Sequence, residues 1–375
     1  MACISWACLL PQELPFAAVG RLLGWQTHEA HVLSDTMVRS LVRTHGQIIR
    51  RTEQGEVAAL LQRDDLATMA LHLVPHSQPR RRAGWPAALN VAVDTALAAE
   101  QVRPPDGVSW ADWERVLAAR RAEATRTTED LRHLGPELDA DQVLVTVDEV
   151  LTRKPEPHRF WELRTARVVT AEGYRYLSGG GAPFLQHLLV AVLLALEPRR
   201  ALLLIADGAR WIRVFFTETL AHIPDKTMLL DWYHLHQKCI EQCSRICRGK
   251  QAKTRLLLRL NRRLWRGEVV AAIAVLEAYR PKAKNAEVVD TFVADLQAGQ
   301  AWIPNYRQRR SEQRYIGSGQ VEKATDLIVA RRQKGRGMQW SWDTSDALAA
   351  LRTLMLNQGW EQYWQRRQVL PLVAS

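Results

Sequence analysis

Three short apolar runs, each ending on an aspartate, constrain this chain more than any other feature. Val143-Leu-Val-Thr-Val147 stops at Asp148, Ala201-Leu-Leu-Leu-Ile205 runs into Ala206-Asp207-Gly208, and Thr227-Met-Leu-Leu230 stops at Asp231. Such runs, short and partly β-branched, read as strands buried on both faces. Helical stretches lie between them, at Ala182–Leu196, apolar nearly all round, and at about 209–221. Residues 160–170 add one or two strands, and Ser178-Gly-Gly-Gly181 reads as a loop. Strands alternating with helices predict an α/β sheet with helices on its faces.

The rest of the chain fits a globular protein. With 47% hydrophobic and 24% charged residues over 375 positions, wholesale disorder is excluded and two or three domains are allowed. The longest apolar stretch, Leu188–Leu196, falls far short of the ~20 residues that span a bilayer. The first residues lack a basic segment and a small-residue cleavage site, so no secretory signal is evident. Five cysteines, an odd number, argue for a reducing compartment. These features predict a soluble cytoplasmic protein without a membrane partner. Cys239, Cys243 and Cys247 share one helix face with Leu235. His234, His236, Cys239 and Cys243 have a zinc-like composition, but no C-x₂-C pair accompanies them, so the core reading is preferred.

Charge is unevenly spread. Residues 235–337 hold 22 Lys/Arg against nine Asp/Glu, a local +13 in a chain whose total is +11. Such an excess points to a polyanionic partner. Arg255, Arg259, Arg262, Arg263 and Arg266 crowd one helical segment, and Arg331, Arg332, Lys334 and Arg336 form a Gly-bearing tract. Near the start, residues 16–46 read as two short helices around a turn. Ser34 and Asp35 supply the second N-cap and Gly46 a stop. That pattern suits either a helix-turn-helix presenting Arg39, Arg43 and Arg50 to DNA or a plain helical hairpin. Residues 47–75 look helical, 76–86 make a linker, and a helix covers about 110–134. Residues 232–302 are helical without strands, and a last amphipathic helix covers Ser345–Leu356.

Asp148 and Asp207 sit where strands stop, the place where α/β sheets collect functional groups. Glu322 starts a helix after Gly317-Ser-Gly319, with Asp326 a rival carboxylate one turn on. Three converging carboxylates need a counter-charge, and oxygen ligands suit Mg²⁺ or Mn²⁺. Asp231 and His234 stand three apart at a strand-to-helix junction and are expected to pair beside such a site. A nucleotide-binding reading of Ser178–Gly181 lacks the spacing of a phosphate loop.

The phrases ADGARWI (206–212), LDWYHL (230–235), YIGSGQVEKATDLIVARRQKGRGMQWS (315–341) and ALAALRTLMLNQGW (347–360) occur in an order that resembles bacterial insertion-sequence transposases of the Mutator-like group. The resemblance covers about 140–365. It implies a DDE enzyme with a ribonuclease H-like catalytic domain interrupted by an all-α block and preceded by a helical N-terminal region. The expected boundaries are 1–75 for a helix-turn-helix-like DNA-binding region, 76–140 for a linker and helical segment, 141–235 and 303–365 for the two parts of the catalytic domain, and 236–302 for the inserted block. The resemblance makes Asp148, Asp207 and Glu322 the catalytic, metal-holding triad, places Asp231 and His234 on a (C/D)-x-x-H signature, and implies Mg²⁺, with Mn²⁺ as substitute. Relatives carry Gly after the first Asp, where this chain has Glu149. The implied function is cleavage and joining of phosphodiester bonds at the ends of an insertion sequence. Partners would be double-stranded DNA and further copies of the chain on it, at the nucleoid. The alternative is a non-catalytic, domesticated or decayed DNA-binding derivative. DNA contacts are expected from Arg255, Arg259, Arg262, Arg263, Arg331, Arg332, Lys334 and Arg336.

Overall fold

The computed structural model describes residues 2–28, 32–76, 109, 111–112, 138, 140–180, 182–196, 201–312, 314–335 and 337–373, with backbone alone at 2–3, 182 and 320–322. The expected linker 76–86, apart from residue 76, and nearly all of the expected helix 110–134 lie outside the described residues. Residues 1–75 and 138–375 form one compact unit and 76–137 another.

The helices are α1 (Ala2–Leu9), α2 (Phe16–Thr27) and α3 (Asp35–Leu60), α4 (Ala182–Leu196), α5 (Arg210–Val214, extended by a π turn, Phe215–Thr219), α6 (Trp232–Ile246), α7 (Lys250–Leu264), α8 (Val269–Tyr279), α9 (Ala286–Gly299), α10 (Tyr306–Ser311), α11 (Gly319–Thr325, extended by a π turn, Asp326–Ala330, and a last turn, Arg331–Gln333), α12 (Trp342–Leu356) and α13 (Trp360–Arg366). The strands are β1 (Val74–Pro75), β2 (Gln142–Arg153), β3 (Phe160–Val169), β4 (Gly173–Gly180), β5 (Ala201–Ala206) and β6 (Lys226–Leu230). They form one mixed sheet in the order β1-β4-β3-β2-β5-β6. β1 through β2 pair antiparallel, whereas β2, β5 and β6 run parallel. The chain is therefore α/β, with a helical block between β6 and α11.

Strand alternation sorts the sheet's two faces. Val143, Val145 and Val147 of β2 face a core with α4 and α5, while Leu144 and Val150 face the other side, under Tyr315, α11 and α12. The apolar helix α4 has to be buried, and it is. The helical block has its own core, in which Cys239, Cys243 and Cys247 pack among Leu235, Leu256 and Phe292. Burial pushes the Cys239 and Cys243 thiols up to about 12. No helix of the described residues is long and apolar enough to cross a membrane.

Several expectations are corrected. β2 does not stop at Asp148 but continues to Arg153, because its ladder with β3 extends to the pair Arg153–Phe160. The Ser178–Gly181 segment is strand β4 as far as Gly180. A Cβ at Gly180 would lie 2.3 Å from the Trp342 ring, so the glycine admits α12 against the sheet. The second N-terminal helix does not end at Gly46; it runs to Leu60, followed by a 3-10 turn at Leu66–Thr68 and strand β1. A Cβ at Gly46 would lie 2.4 Å from the Ala347 Cα, so this glycine marks a close helix crossing rather than a stop. The helix expected at Ser345–Leu356 begins at Trp342, is buried on nearly every side rather than amphipathic, and is not the last, since α13 follows it. Helices α1–α3 share a core with α12 and α13.

Candidate active site

Parallel pairing of β2 with β5 ends at Thr146 and Ile205. Two residues further on, where the strands part, Asp148 and Asp207 stand level. Asp148 is still inside β2, opposite Thr165 of β3. The Thr165 hydroxyl lies 2.7 Å from that of Thr325, the end of α11. This contact seats the helix bearing Glu322 over β2 and β3, with Glu322 three residues before Thr325. The Glu322 side chain lies outside the described residues.

Burial pushes the Asp148 carboxyl above its usual range, and the negative charge of Asp207 adds to the effect. The Thr325 hydroxyl, the Glu149 N–H at 2.9 Å and His234 offset part of it. Asp207 is exposed beyond β5, its Oδ1 accepting the Ala209 N–H at 2.9 Å. The φ of +80° at Gly208 makes the turn, over the Leu230 side chain. Neither aspartate has a Lys or Arg partner among the described residues.

Asp231 is fully buried and occupied on both oxygens. Its Oδ1 accepts the Tyr233 and His234 N–H groups at 2.6 and 3.2 Å, capping α6. Its Oδ2 accepts the N–H of Ser318 at 2.5 Å and the Ser318 hydroxyl. One carboxylate thus ties the start of the helical block to the loop that leads into the Glu322 helix. The backbone adds Asp231 N–H to Ala206 O at 2.8 Å and Trp232 N–H to Ile316 O at 3.0 Å. Gly317 is needed there, since a Cβ would lie 2.7 Å from the Tyr233 ring. With its oxygens spent, Asp231 is not open to a metal. Burial alone would raise its carboxyl, but the nearby His234 imidazole and the bonds from Ser318 win and hold it below the usual range. Its contribution to stability is therefore complete above the unfolded value of about 3.9 and is lost as pH falls through the lower folded one. Asp231→Asn should cost about 2–4 kcal/mol in denaturant unfolding near neutral pH, because its amide sets a donor against N–H or O–H donors.

His234 Nδ1 lies 3.6 Å from Asp231 Oδ2, an ion-pair distance rather than a hydrogen bond. Asp231 is the main cause that lifts the imidazole to about 9; burial opposes it, and Asp148 and Asp207 reinforce it. His234 and Asp207 line one cleft with Leu230 and Lys238. The arrangement therefore gathers Asp148, Asp207 and His234 at the open end of β2 and β5.

Glu149 points to the opposite face, towards Arg164 at 3.5 Å. Burial, then Glu162, lifts its carboxyl to about 7. A folded value above the unfolded one means stability falls as pH rises from about 4.5 to 7. Glu149→Gln should abolish that decline and raise stability by about 1 kcal/mol at pH 8, measured by urea unfolding.

Among the expected DNA contacts, Arg255, Arg259 and Arg262 are exposed on α7, while Arg263 is exposed but bonded to Glu268 at 2.6 Å. Arg331 pairs with Glu13 at 3.2 Å, and Lys334 is exposed. Arg336 lies outside the described residues. Two arginines are corrected. Arg332 is buried, its Nε donating to Pro11 O, and does not reach solvent as a free phosphate ligand. Arg50 is buried between Asp346, Glu53 and Ser178, and does not face DNA. Sequence reasoning missed Thr165, Thr325 and Ser318. Ser318 inside G-S-G and Thr325 one turn past Glu322 were the available signals.

The donor set suits a hard divalent cation: oxygen ligands, one carboxyl raised mainly by burial, and, among the described residues, no Lys or Arg paired to either aspartate. The described side chains include no group of three His, Cys, Asp or Glu that could hold a metal, and the Glu322 side chain is not among them. No protein-family model matches the chain, and no curated protein matches it.

Proposed function

We propose that this chain is a DNA transposase with a ribonuclease H-like catalytic domain. The observation that carries the reading is the level placement of Asp148 and Asp207 where β2 and β5 part, with the Glu322 helix seated above them through Thr325. The strand order supports it too, with four antiparallel strands, the outermost the two-residue β1, continued by two parallel ones and the acids on β2 and after β5.

Asp148, Asp207 and Glu322 would hold Mg²⁺ or Mn²⁺. Such ions activate an oxygen nucleophile and stabilise the leaving oxygen of an in-line displacement. Around them, Asp231 fixes the Gly317–Ser318 lead into the Glu322 helix, and His234 holds a proton beside the acids. Water would cleave the phosphodiester to expose a 3′-hydroxyl. That hydroxyl would then attack target DNA, forming one phosphodiester as another breaks, with no covalent link to protein. The protein would work on the nucleoid, as more than one copy on the DNA.

Supercoiled plasmid tests the reading. Nicking that needs Mg²⁺ or Mn²⁺ and stops with a chelator supports it; tight DNA binding without cleavage in either metal favours the non-catalytic derivative. Arg255, Arg259 and Arg262 would meet phosphates on the exposed face of α7. Changing all three to Ala should lower the log–log salt slope of duplex binding by up to ~2.7, at ~0.9 for each phosphate no longer neutralised. An unchanged slope makes that face merely solvated.

A further inference from the structure

A second set of cationic side chains lies away from the acids. It lines a cleft of about 640 Å³ between the start of α3, the Phe16 end of α2 and the segment leading into α12. Arg39, Arg43 and Arg332 line it, against the single carboxylate of Asp35. Aromatic rings, more than carboxylates, flank Arg39 and Arg332. Arg39 lies 5.5 Å over the Phe16 ring and meets Asp35 only at 3.9 Å. Arg332 lies 5.6 Å from the same ring and 4.8 Å from that of Trp340. Arg43 Nε is buried with no hydrogen-bond partner among the described residues. A ring face holds a guanidinium through its π surface and leaves in-plane N–H donors free, as at Arg39, whereas Arg332 spends its Nε on Pro11 O and its Nη1 on Met338 Sδ. Unspent donors with a surplus of positive charge match a phosphate, which takes such donors in pairs.

The cleft has a defined place relative to the acids. Along β2, Trp340 N–H donates to Arg153 O at 2.9 Å, and Pro155 lines the cleft. Arg153 is five residues past Asp148, about 17 Å at ~3.4 Å per residue. Along the helix, Arg332 is ten residues past Glu322, about 15 Å at ~1.5 Å per residue. Both elements run the same way on the same face of the sheet. Thr325 meets Thr165 beside Asp148, and further along Ile328 and Val329 pack with Val150 and Leu163. Duplex DNA rises ~3.4 Å per base pair, so the separation is about five base pairs.

We propose that this cleft binds a backbone phosphate of duplex DNA, about five base pairs from the phosphodiester presented to Asp148 and Asp207. The location of that second phosphate rests on the transposase reading, whereas the binding itself does not. Arg39 and Arg43, four apart on α3, donate to the phosphate, and Arg332 beneath them supplies fixed positive charge. The cleft sets the register of the duplex on the protein.

The test is binding of a 30-base-pair duplex to the full chain without metal, followed by fluorescence anisotropy over a salt series. Arg39→Ser/Arg43→Ser should weaken binding about tenfold and reduce the salt slope by ~1.8. Arg39→Lys/Arg43→Lys should keep most of the slope, since the charge remains. Unchanged affinity and slope in the Ser variant overturn the proposal. So does an equal loss in both variants together with a lowered unfolding temperature, which marks a packing role. If the Ser variant loses slope while the wild type cleaves DNA in neither metal, the cleft stands and the transposase reading fails.

Discussion

Arg50→Met is expected to cost about 3–5 kcal/mol, far more than removal of an exposed ion pair. The guanidinium is nearly inaccessible and fully engaged. Its Nε donates to both Asp346 oxygens at 3.1 and 3.2 Å, and one terminal nitrogen reaches Glu53 at 3.0 Å and Ser178 O at 2.7 Å. The other donates to Ser178 Oγ at 2.9 Å, and that hydroxyl lies 2.7 Å from Thr353 Oγ1. Removing the cation leaves Glu53 and Asp346 as partly buried carboxylates without their partner. Three elements lose their common joint, since Arg50 is on α3, Ser178 on β4 and Asp346 on α12. Adding Glu53→Gln and Asp346→Asn to Arg50→Met should restore a large part of the stability. Urea unfolding of the single and triple variants measures both effects. A single variant within about 1 kcal/mol of the wild type would contradict this account of the joint.

The largest effect on activity is expected at the acids. Asp207→Asn and Glu322→Gln should each lower metal-dependent nicking by roughly 10³-fold or more, because several kcal/mol of charge stabilisation disappear from the transition state. DNA affinity should hardly change, since neither residue belongs to a basic face. Asp148→Asn should behave alike, whereas Glu149→Gln, on the opposite face of β2, should keep most of the activity. Cleavage by Glu322→Gln at the wild-type rate would remove the third acid from the triad, and the neighbouring Asp326 would be the next to test.

The α/β architecture was legible because burial dictates it. A run such as Ala201–Ile205 has no alternative to a doubly covered strand, and α4 has no polar face to offer water. The aspartates after β5 and β6 were legible for the same reason, as polar residues that end an apolar run. The continuation of β2 was not, because Asp148 and Glu149 break the apolar pattern while the ladder with β3 carries on. Long-range packing hid the rest. Gly46 reads as a stop until Ala347 crosses it, and Gly180 reads as a loop until Trp342 lies over it. Arg50 reads as a solvent-facing base until Asp346, 296 positions away, arrives beside it. The contact between Asp231 and Ser318 spans 87 positions, so spacing within the 231–234 segment could reveal only the local cap.

Calorimetric titration of Mn²⁺ into the metal-free protein tests the central claim most directly, because it needs neither a known DNA end nor turnover. The wild type should bind Mn²⁺, Asp148→Asn/Asp207→Asn should lose that binding, and His234→Ala should retain it. Wild-type Mn²⁺ binding by the double aspartate variant, folded as judged by its unfolding curve, would contradict the assignment of Asp148 and Asp207 as the centre of the site.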